Sequence, residues 1–220
     1  MDKSQLIQLT MALLGVSFGL GSYIRLIRGL LKNEAQTNFY SWIVLTILCV
    51  VAFAMPLMNG VNWIGVLTPF SFMVCAIIVT ILSYIKSPKE KRVAKPFDKA
   101  CLILAAVLFI IGLFGPKIAT SVGIQVADPK FFKNVCMAIF TSTAFVPCYM
   151  RIKGIVEGNH EIPSSQFMLL IRNMFRVGAL NVFNFFTLYG PVVNVLVASF
   201  IMFAAMYYNN KRKNEESTVK

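Results

Sequence analysis

The sequence predicts an all-α, polytopic membrane protein whose seven transmembrane helices form a 3+1+3 arrangement of two parallel three-helix repeats. Hydrophobic residues make up 57% of the 220 residues and charged residues only 14%. The charged residues cluster between long uncharged stretches, and a motif near the N-terminus recurs in the second half of the chain. A composition this apolar, with charge this unevenly spread, is typical of integral membrane proteins.

Seven apolar stretches are long enough, or nearly so, to cross the hydrocarbon core, which takes about 20 residues of helix. Lipid offers no hydrogen bonds to the backbone, so each crossing must be a helix or part of a closed barrel. Strict alternation of apolar and polar residues, the mark of a barrel strand, is absent. The expected crossings are residues 6–24, 39–58, 61–85, 100–116, 134–150, 166–188 and 191–208.

The first and fifth segments carry the recurring motif, a small-residue helix end that runs through Tyr-x-Arg into a basic loop. Residues 16–26 read VSFGLGSYIRL and residues 142–152 read STAFVPCYMRI, at a constant offset. Each copy is followed by two more apolar segments. Internal duplication of a three-helix unit is a common plan among transporters.

The domain boundaries follow from this duplication. A three-helix unit ends on the face opposite its start, so a fourth crossing must return the chain before a parallel second unit can begin. We therefore expect this linker helix to lie apart from both repeats and to face lipid. The predicted organisation is a first repeat (1–86), a basic inner loop, linker helix and outer loop (87–133), a second repeat (134–208) and a basic cytoplasmic tail (209–220).

The net charge of +12 is explained by membrane topology rather than by nucleic-acid binding. Most of the 21 Lys and Arg residues fall in the loops and tail on one side of the expected bundle. This positive-inside bias predicts a multi-pass protein of the cell membrane, with the N-terminus outside and the C-terminus in the cytoplasm. The outer side keeps only Lys3, Lys117, Lys130 and Lys133.

Three short sequence motifs, together with the predicted topology, indicate a resemblance to a known family. Residues 141–151, TSTAFVPCYMR, look like a signature in which Ser-Phe precedes Pro-Gln and a basic loop. Residues 161–163 (EIP) and 189–194 (YGPVVN) stand at the links before and after the sixth segment. Together they resemble the SWEET and PQ-loop transporters, whose half-size members are the SemiSWEETs, and the chain resembles a divergent member. The defining Pro-Gln pair reads Leu20-Gly21 in the first half and Pro147-Cys148 in the second.

The resemblance implies a facilitative transporter that carries a small polar solute, a sugar or related metabolite, by alternating access about a central site. It implies that an Asn of each third helix lines the cavity. That role falls on Asn194 and, in the first half, on Asn62 or Asn59. The alternative for each amide is a hydrogen bond between packed helices.

The sixth segment is unusually polar for a membrane helix. Arg172 and Arg176 stand four residues apart and therefore on one face, with Asn173 and Asn184 near it. Ionisable groups at depth usually face a cavity, so the segment is a candidate guide for an anionic or strongly polar solute. The alternative is that the arginines snorkel to the inner face, which we favour for Arg172. The expected solute-binding residues are Asn194, Asn62, Asn184 and Arg176.

Prolines and glycines at depth are candidate hinges for alternating access, because proline removes a helix hydrogen bond. Pro147 stands where the resembling family has its hinge proline, and Gly21 and Pro56 are the further candidates. The alternative for the glycines is that they let helices approach closely.

Features of enzymes are missing from the sequence. We find no nucleophile–base pair, no metal-ligand spacing and no phosphate-binding glycine loop, and we expect no catalytic residue, metal or cofactor. No Asp or Glu lies inside a predicted segment, which argues against proton coupling. The expected partners are a small-molecule solute and the lipid bilayer, and a homo-oligomer is compatible with the sequence. The rival interpretation is a membrane protein that transports nothing, a receptor, immunity or assembly subunit on the same scaffold.

Overall fold

The computed structural model describes residues 3–58, 63–124, 127–178 and 185–218. Throughout these ranges the chain is helical and has no β-strand, so the all-α prediction is confirmed. Five of the predicted segments each coincide with one helix, the fifth is divided between two, and the sixth (166–188) extends from α7 past the undescribed residues 179–184 into the start of α8. The helices are α1 (Lys3–Leu31), α2 (Phe39–Met58), α3 (Trp63–Lys86), α4 (Pro96–Ser121), α5 (Pro129–Ser142), α6 (Phe145–Val156), α7 (Pro163–Gly178) and α8 (Phe185–Thr218).

Five stretches of the described chain are helices long and apolar enough to cross a membrane, which makes this a helical membrane protein. The second expected crossing appears as the shorter apolar helix Phe39–Ala54, and the described part of α7 has 16 residues and is not among the candidate spans. The five candidate spans are Leu9–Leu31, Pro69–Lys86, Lys89–Ser121, Pro129–Val156 and Leu188–Glu215.

The surface of the bundle is a broad apolar belt. Along α4 one face carries large side chains that are 41–66% exposed, as a helix facing lipid requires. A soluble protein would not leave so large a contiguous apolar surface in water. These α4 side chains are Ile103, Leu104, Val107, Ile110, Ile111, Phe114 and Ile118.

Local sequence signals start two of the helices. Asp128 precedes Pro129 and caps α5, since its carboxylate accepts hydrogen bonds from the backbone N–H groups of residues 130 and 131. In α4, Asp98 accepts from the Lys95 N–H at 3.1 Å, and Pro96 occupies the first turn. Both patterns satisfy N–H groups that a helix start leaves without partners.

The fifth predicted segment is interrupted at Thr143 and Ala144, between α5 and α6. Pro147 explains the interruption, because its ring carries no N–H to bond the Thr143 carbonyl and collides with that carbonyl in a regular helix. The backbone tightens instead, with N–H groups of Thr143, Ala144 and Val146 bonding carbonyls three residues back. A helix break therefore lies where the sequence predicts a hinge, and whether it moves stays a prediction.

Three connections and the C-terminal part of α8 lie at one end of the bundle. The Gln36 N–H, between α1 and α2, donates to the His160 carbonyl, between α6 and α7. Lys91, between α3 and α4, donates to Asn159 at 2.8 Å, and Arg212 near the end of α8 donates to the Asn159 carbonyl. Consecutive helices, with α5 and α6 taken as one, therefore run in opposite directions. We call this the basic end, since most Lys and Arg residues lie there.

Helix contacts follow the order of the two predicted repeats. In the first half α3 contacts both α1 and α2, and in the second half α8 contacts both α7 and the α5–α6 pair. The halves meet where α1 packs against α7 and where α2 packs against α6, and α4 packs against α2 and the α5–α6 pair.

Three buried clusters match this division. Leu26, Leu30 and Val79 belong to a cluster of the first three helices, and Cys148, Ile155 and Ile201 to one shared by α6 and α8. A third cluster joins α2, α4 and α6 through Val44, Cys101, Ala105, Val146 and Met150.

The two copies of the recurring motif have different surroundings. Tyr23 packs between Trp42 and Phe72, whereas Tyr149 is 60% exposed and packs against Phe97 of α4. Arg25 is exposed, and Arg151 is buried. The two motif copies thus differ in their contacts, because α4 packs beside the second copy and not beside the first. The duplication itself stays a prediction.

Candidate functional site

The interface between α1 and α7 joins the two halves closely. Ser22 Oγ donates to the Ser165 carbonyl at 2.8 Å, Ser165 Oγ donates to the Ser22 carbonyl at 3.1 Å, and the two hydroxyls are 2.9 Å apart. A Cβ atom at Gly21 would lie 2.6 Å from the Met168 methyl carbon, so a side chain there would require the flexible end of Met168 to shift. Because α1 continues unbroken through Gly21, the residue acts here in close packing, and its hinge role stays a prediction.

One turn further along the interface, Arg172 of α7 reaches the middle of the bundle. A Cβ at Gly19 would lie 3.1 Å from Arg172 Cδ, so the arginine stem passes over this glycine. Its guanidinium carbon is 3.9 Å from the centre of the Phe72 ring. Gly19 is near the midpoint of the candidate span Leu9–Leu31, which puts Arg172 at mid-depth. The sequence favours snorkelling of Arg172 to the inner face, whereas this packing places its side chain near the middle of the span.

Tyr23 of the first half packs against the Phe72 ring that Arg172 contacts. Its ring lies 5.9 Å from that of Phe72 and 6.1 Å from that of Trp42. An aromatic wall with one hydroxyl and one guanidinium therefore stands where the two halves meet.

Two amide side chains of α7 carry buried polar atoms without hydrogen-bond partners among the described residues. Gln166 is 1% exposed, and neither its Oε1 nor its Nε2 is bonded. Asn173 is 2% exposed; its Nδ2 donates to the Leu169 carbonyl at 2.8 Å, while its Oδ1 is unbonded. Buried amides normally find partners, so these atoms are the natural contacts of a bound polar molecule.

The basic end is closed by a buried ion pair. Arg151 Nε and Nη2 donate to the two Glu161 carboxylate oxygens at 2.9 and 2.6 Å, and both residues are at most 3% exposed. The Arg151 guanidinium also lies over the Trp42 ring of the first half, at 5.1 Å. Asn209 of α8 donates to the Glu161 carbonyl at 3.2 Å. Since this layer joins both halves, it separates the α7 side chains from that face of the bundle.

A small polar cleft of about 50 Å³ opens at the basic end, outside the closed layer. Lysines and carboxylates share its lining, and Lys95 and Lys153 both approach Glu157, at 3.5 and 3.7 Å. These charges largely compensate one another. The cleft is therefore a solvated surface feature that Asn194 does not line.

The predicted site residues have different outcomes. Asn194 is half-buried on α8 and donates to the Gly190 carbonyl at 2.9 Å, one turn earlier. Asn62 and Asn184 lie outside the described residues, as do the side chains of Arg176 and Pro56. The amide and guanidinium side chains that the structure describes on α7 are Arg172, Asn173 and Gln166. From the sequence, Arg172 and Asn173 are named in the polar sixth segment without being selected as solute-binding residues, and Gln166 is not named as a candidate.

A signal for these residues is present in the sequence. Gln166 and Asn173 are seven residues apart and so share a face of α7, and Arg172 is the neighbour of Asn173. The expected crossing began at Gln166, which assigned both residues to the inner boundary. Instead, Ser165 in the first turn of α7 meets Ser22, which lies well inside the candidate span Leu9–Leu31, and so α7 begins deeper along α1.

Metal chemistry receives no support within the ranges that the structure covers. No group of three or more His, Cys, Asp or Glu side chains gathers there, and the five cysteines are free thiols.

No family model, curated protein or solved structure matches this chain.

Proposed function

We propose that the protein is a facilitative carrier that moves a small polar solute down its gradient, with the 3+1+3 plan of the SWEET and PQ-loop transporters. The observation that carries the proposal is a set of polar side chains on α7: Gln166 and Asn173 are buried, and Arg172 is half-buried against Phe72 of the first half. Polar groups at this depth are costly and are typically retained for a pathway or a bound solute.

The contacts between helices support the same proposal. If the halves are repeats, α1 is equivalent to the α5–α6 pair, α2 to α7 and α3 to α8. The contact between α1 and α7 and the contact between α2 and α6 are then the same contact, seen once from each half. Two such units can rock about their shared interface, which opens one end of a central site as the other closes. The buried layer of Arg151, Glu161 and Trp42 would then be the closed inner gate.

Orientation is the first testable part. In a cysteine-free background, Lys89→Cys at the basic end should be protected from a membrane-impermeant maleimide in intact cells. Lys130→Cys, on the opposite side, should be labelled. Both side chains are exposed, so a difference in labelling reports sidedness rather than burial. The reverse pattern would contradict the N-outside, C-cytoplasmic orientation expected from the positive-inside bias.

Transport is tested by exchange of radiolabelled glucose, glycerol, serine and lactate in proteoliposomes. We expect downhill exchange of at least one solute, unchanged by a protonophore, because no carboxylate lies within a predicted crossing. Accumulation that a protonophore abolishes would contradict uniport. Absence of exchange for the whole panel would favour the rival function, a receptor, immunity or assembly subunit.

A further inference from the structure

A pocket of about 420 Å³ lies at the basic end, between the first turn of α7 and the C-terminal part of α8. Sites for small molecules usually measure about 300–1,000 Å³, so this pocket has room for a polar group of that kind. In contrast to the small cleft described above, no described Asp or Glu residue lines it. Its polar lining residues are His160, Asn209, Asn210, Arg212 and Lys213.

Arg212 is held in the wall of this pocket by backbone carbonyls. Its Nη1 donates to the Gly158 and Asn159 carbonyls, at 3.4 and 3.2 Å, and its Nη2 donates to the Ile155 carbonyl. These neutral carbonyls orient the guanidinium but do not cancel its positive charge. Lys213, the next residue, is exposed and brings a second positive charge to the lining.

Two carboxylates close in sequence to the pocket residues have basic partners of their own. Glu161 follows His160 and lies 2.6 Å from Arg151, in the buried ion pair. Glu215 lies 3.9 Å from Lys211, on the exposed surface of α8. The described lining of the pocket is therefore positive, which favours an anionic occupant.

The pocket stands at the level where α8 leaves the apolar belt. About 20 residues of helix cross the hydrocarbon core, so a span that begins at Leu188 reaches the lipid headgroups near Tyr207 and Tyr208. Tyrosine is enriched at that level, because its ring is apolar and its hydroxyl is polar. Asn210 and Lys213 of the pocket follow within two turns, among the headgroups.

One face of α8 leads from the apolar belt into the pocket. Positions 203, 206, 210 and 213 are three and four residues apart and therefore share this face. Phe203 and Met206 are large, apolar and exposed. Asn210 and Lys213 are exposed as well, and they line the pocket together with Met206. A molecule that matches the whole face has an anionic group beside a long apolar part.

From this arrangement we propose that the pocket binds the headgroup of an anionic phospholipid, whose acyl chains lie along the exposed apolar face of α8. Arg212 supplies a fixed positive charge, and the flexible Lys213 ammonium contacts a phosphate oxygen. Basic pockets between membrane helices on the cytoplasmic side suit such headgroups. A lipid site of this kind goes beyond the proposed carrier function and does not depend on transport.

The bound lipid should also stabilise the closed layer at the basic end. His160 lines the pocket and is joined through the backbone to Glu161 of the buried ion pair. Asn209 lines the pocket too, and it donates to the Glu161 carbonyl at 3.2 Å. An occupant that holds these residues in place should therefore raise the melting temperature of the protein.

Two lipids and one soluble probe test the site in purified, delipidated protein. Dioleoylphosphatidylglycerol and dioleoylphosphatidylcholine share their acyl chains and phosphate, but only the first has a net negative charge. We expect native mass spectrometry to show preferential retention of phosphatidylglycerol, and phosphatidylglycerol to raise the melting temperature more than phosphatidylcholine does. Glycerophosphoglycerol, the same headgroup without acyl chains, should have little effect at the same concentration.

Three variants at exposed positions assign the effect to this pocket. Lys213→Gln should weaken retention of phosphatidylglycerol about 5-fold, the loss expected for one basic residue at an anionic membrane surface. Asn210→Asp places a carboxylate of nearly the same shape in the lining and should weaken retention at least as much. Lys89→Gln is the matched control, because Lys89 is exposed at the basic end but does not line the pocket.

Four results would overturn the proposal. Equal retention of the two lipids would show that negative charge is not recognised. Unchanged retention of phosphatidylglycerol in both Lys213→Gln and Asn210→Asp would remove the pocket as the site. A loss of the same size in Lys89→Gln would mean that the whole basic end attracts the lipid. Stabilisation by glycerophosphoglycerol as strong as that by phosphatidylglycerol would identify a soluble phosphate compound, and not a lipid, as the occupant.

Discussion

Replacement of Glu161 by glutamine should lower the free energy of unfolding by about 3–5 kcal/mol, the cost of breaking a buried ion pair from one side. Arg151 would remain buried against the Trp42 ring, with its charge no longer balanced. The glutamine side chain has nearly the same shape as glutamate, so packing changes little and the loss reports the charge. Denaturation with SDS in mixed micelles gives the free energy of unfolding.

Two further variants make this prediction decisive. The double variant Arg151→Met, Glu161→Leu removes both charges and should recover much of the lost stability, because no uncompensated charge is left buried. Glu215→Gln removes one partner of the exposed Lys211–Glu215 pair and should cost at most about 0.5 kcal/mol. If Glu161→Gln lowers the free energy of unfolding as little as Glu215→Gln does, water reaches the Arg151–Glu161 pair and the pair is not buried in the membrane.

A disulfide between positions 22 and 165 should reduce transport to the level of protein-free liposomes. The hydroxyls of Ser22 and Ser165 are 2.9 Å apart across the contact of the two halves, so cysteines at these positions are close enough to bridge. Alternating access requires the halves to rock against each other, and a covalent link between α1 and α7 restrains that motion. The measurement is solute exchange before and after oxidation, in a background without the native cysteines.

The controls separate restraint from damage. Each single variant, Ser22→Cys or Ser165→Cys, should transport whether or not it is oxidised. A reducing agent should restore exchange in the double variant. Full exchange with the disulfide formed would mean that α1 and α7 move as one body, which contradicts the proposed rocking of the halves.

The sequence was sufficient for the plan of the chain, because that plan depends on local physical properties. Long apolar runs have to be helices in lipid, and the described part of every predicted segment is mainly helical. Proline likewise acts locally, because it interrupts helical hydrogen bonding wherever it stands, and Pro147 lies just after the break between α5 and α6. The concentration of Lys and Arg residues in alternate loops was likewise readable, and the structure brings those loops to one end.

The site could not be predicted in the same way. Two features of the sequence placed Arg172 near the inner boundary: its distance from the predicted helix start and the usual tendency of arginine to snorkel. Only the approach of α7 to Gly19 and Gly21 determines how deep it lies. Arg25 and Arg151 occupy matching places in the motif, yet only Arg151 meets a carboxylate, because Glu161 follows it in the second half.

The sequence by itself therefore determined the all-helical membrane class of the protein, the approximate position of most of its helices and the end at which its positive charge collects. The tertiary structure decided which polar side chains are buried together and at what depth. The physical reason is that hydropathy and helix formation depend on neighbouring residues, whereas the depth and partners of Arg172, Asn173 and Glu161 depend on how distant helices pack.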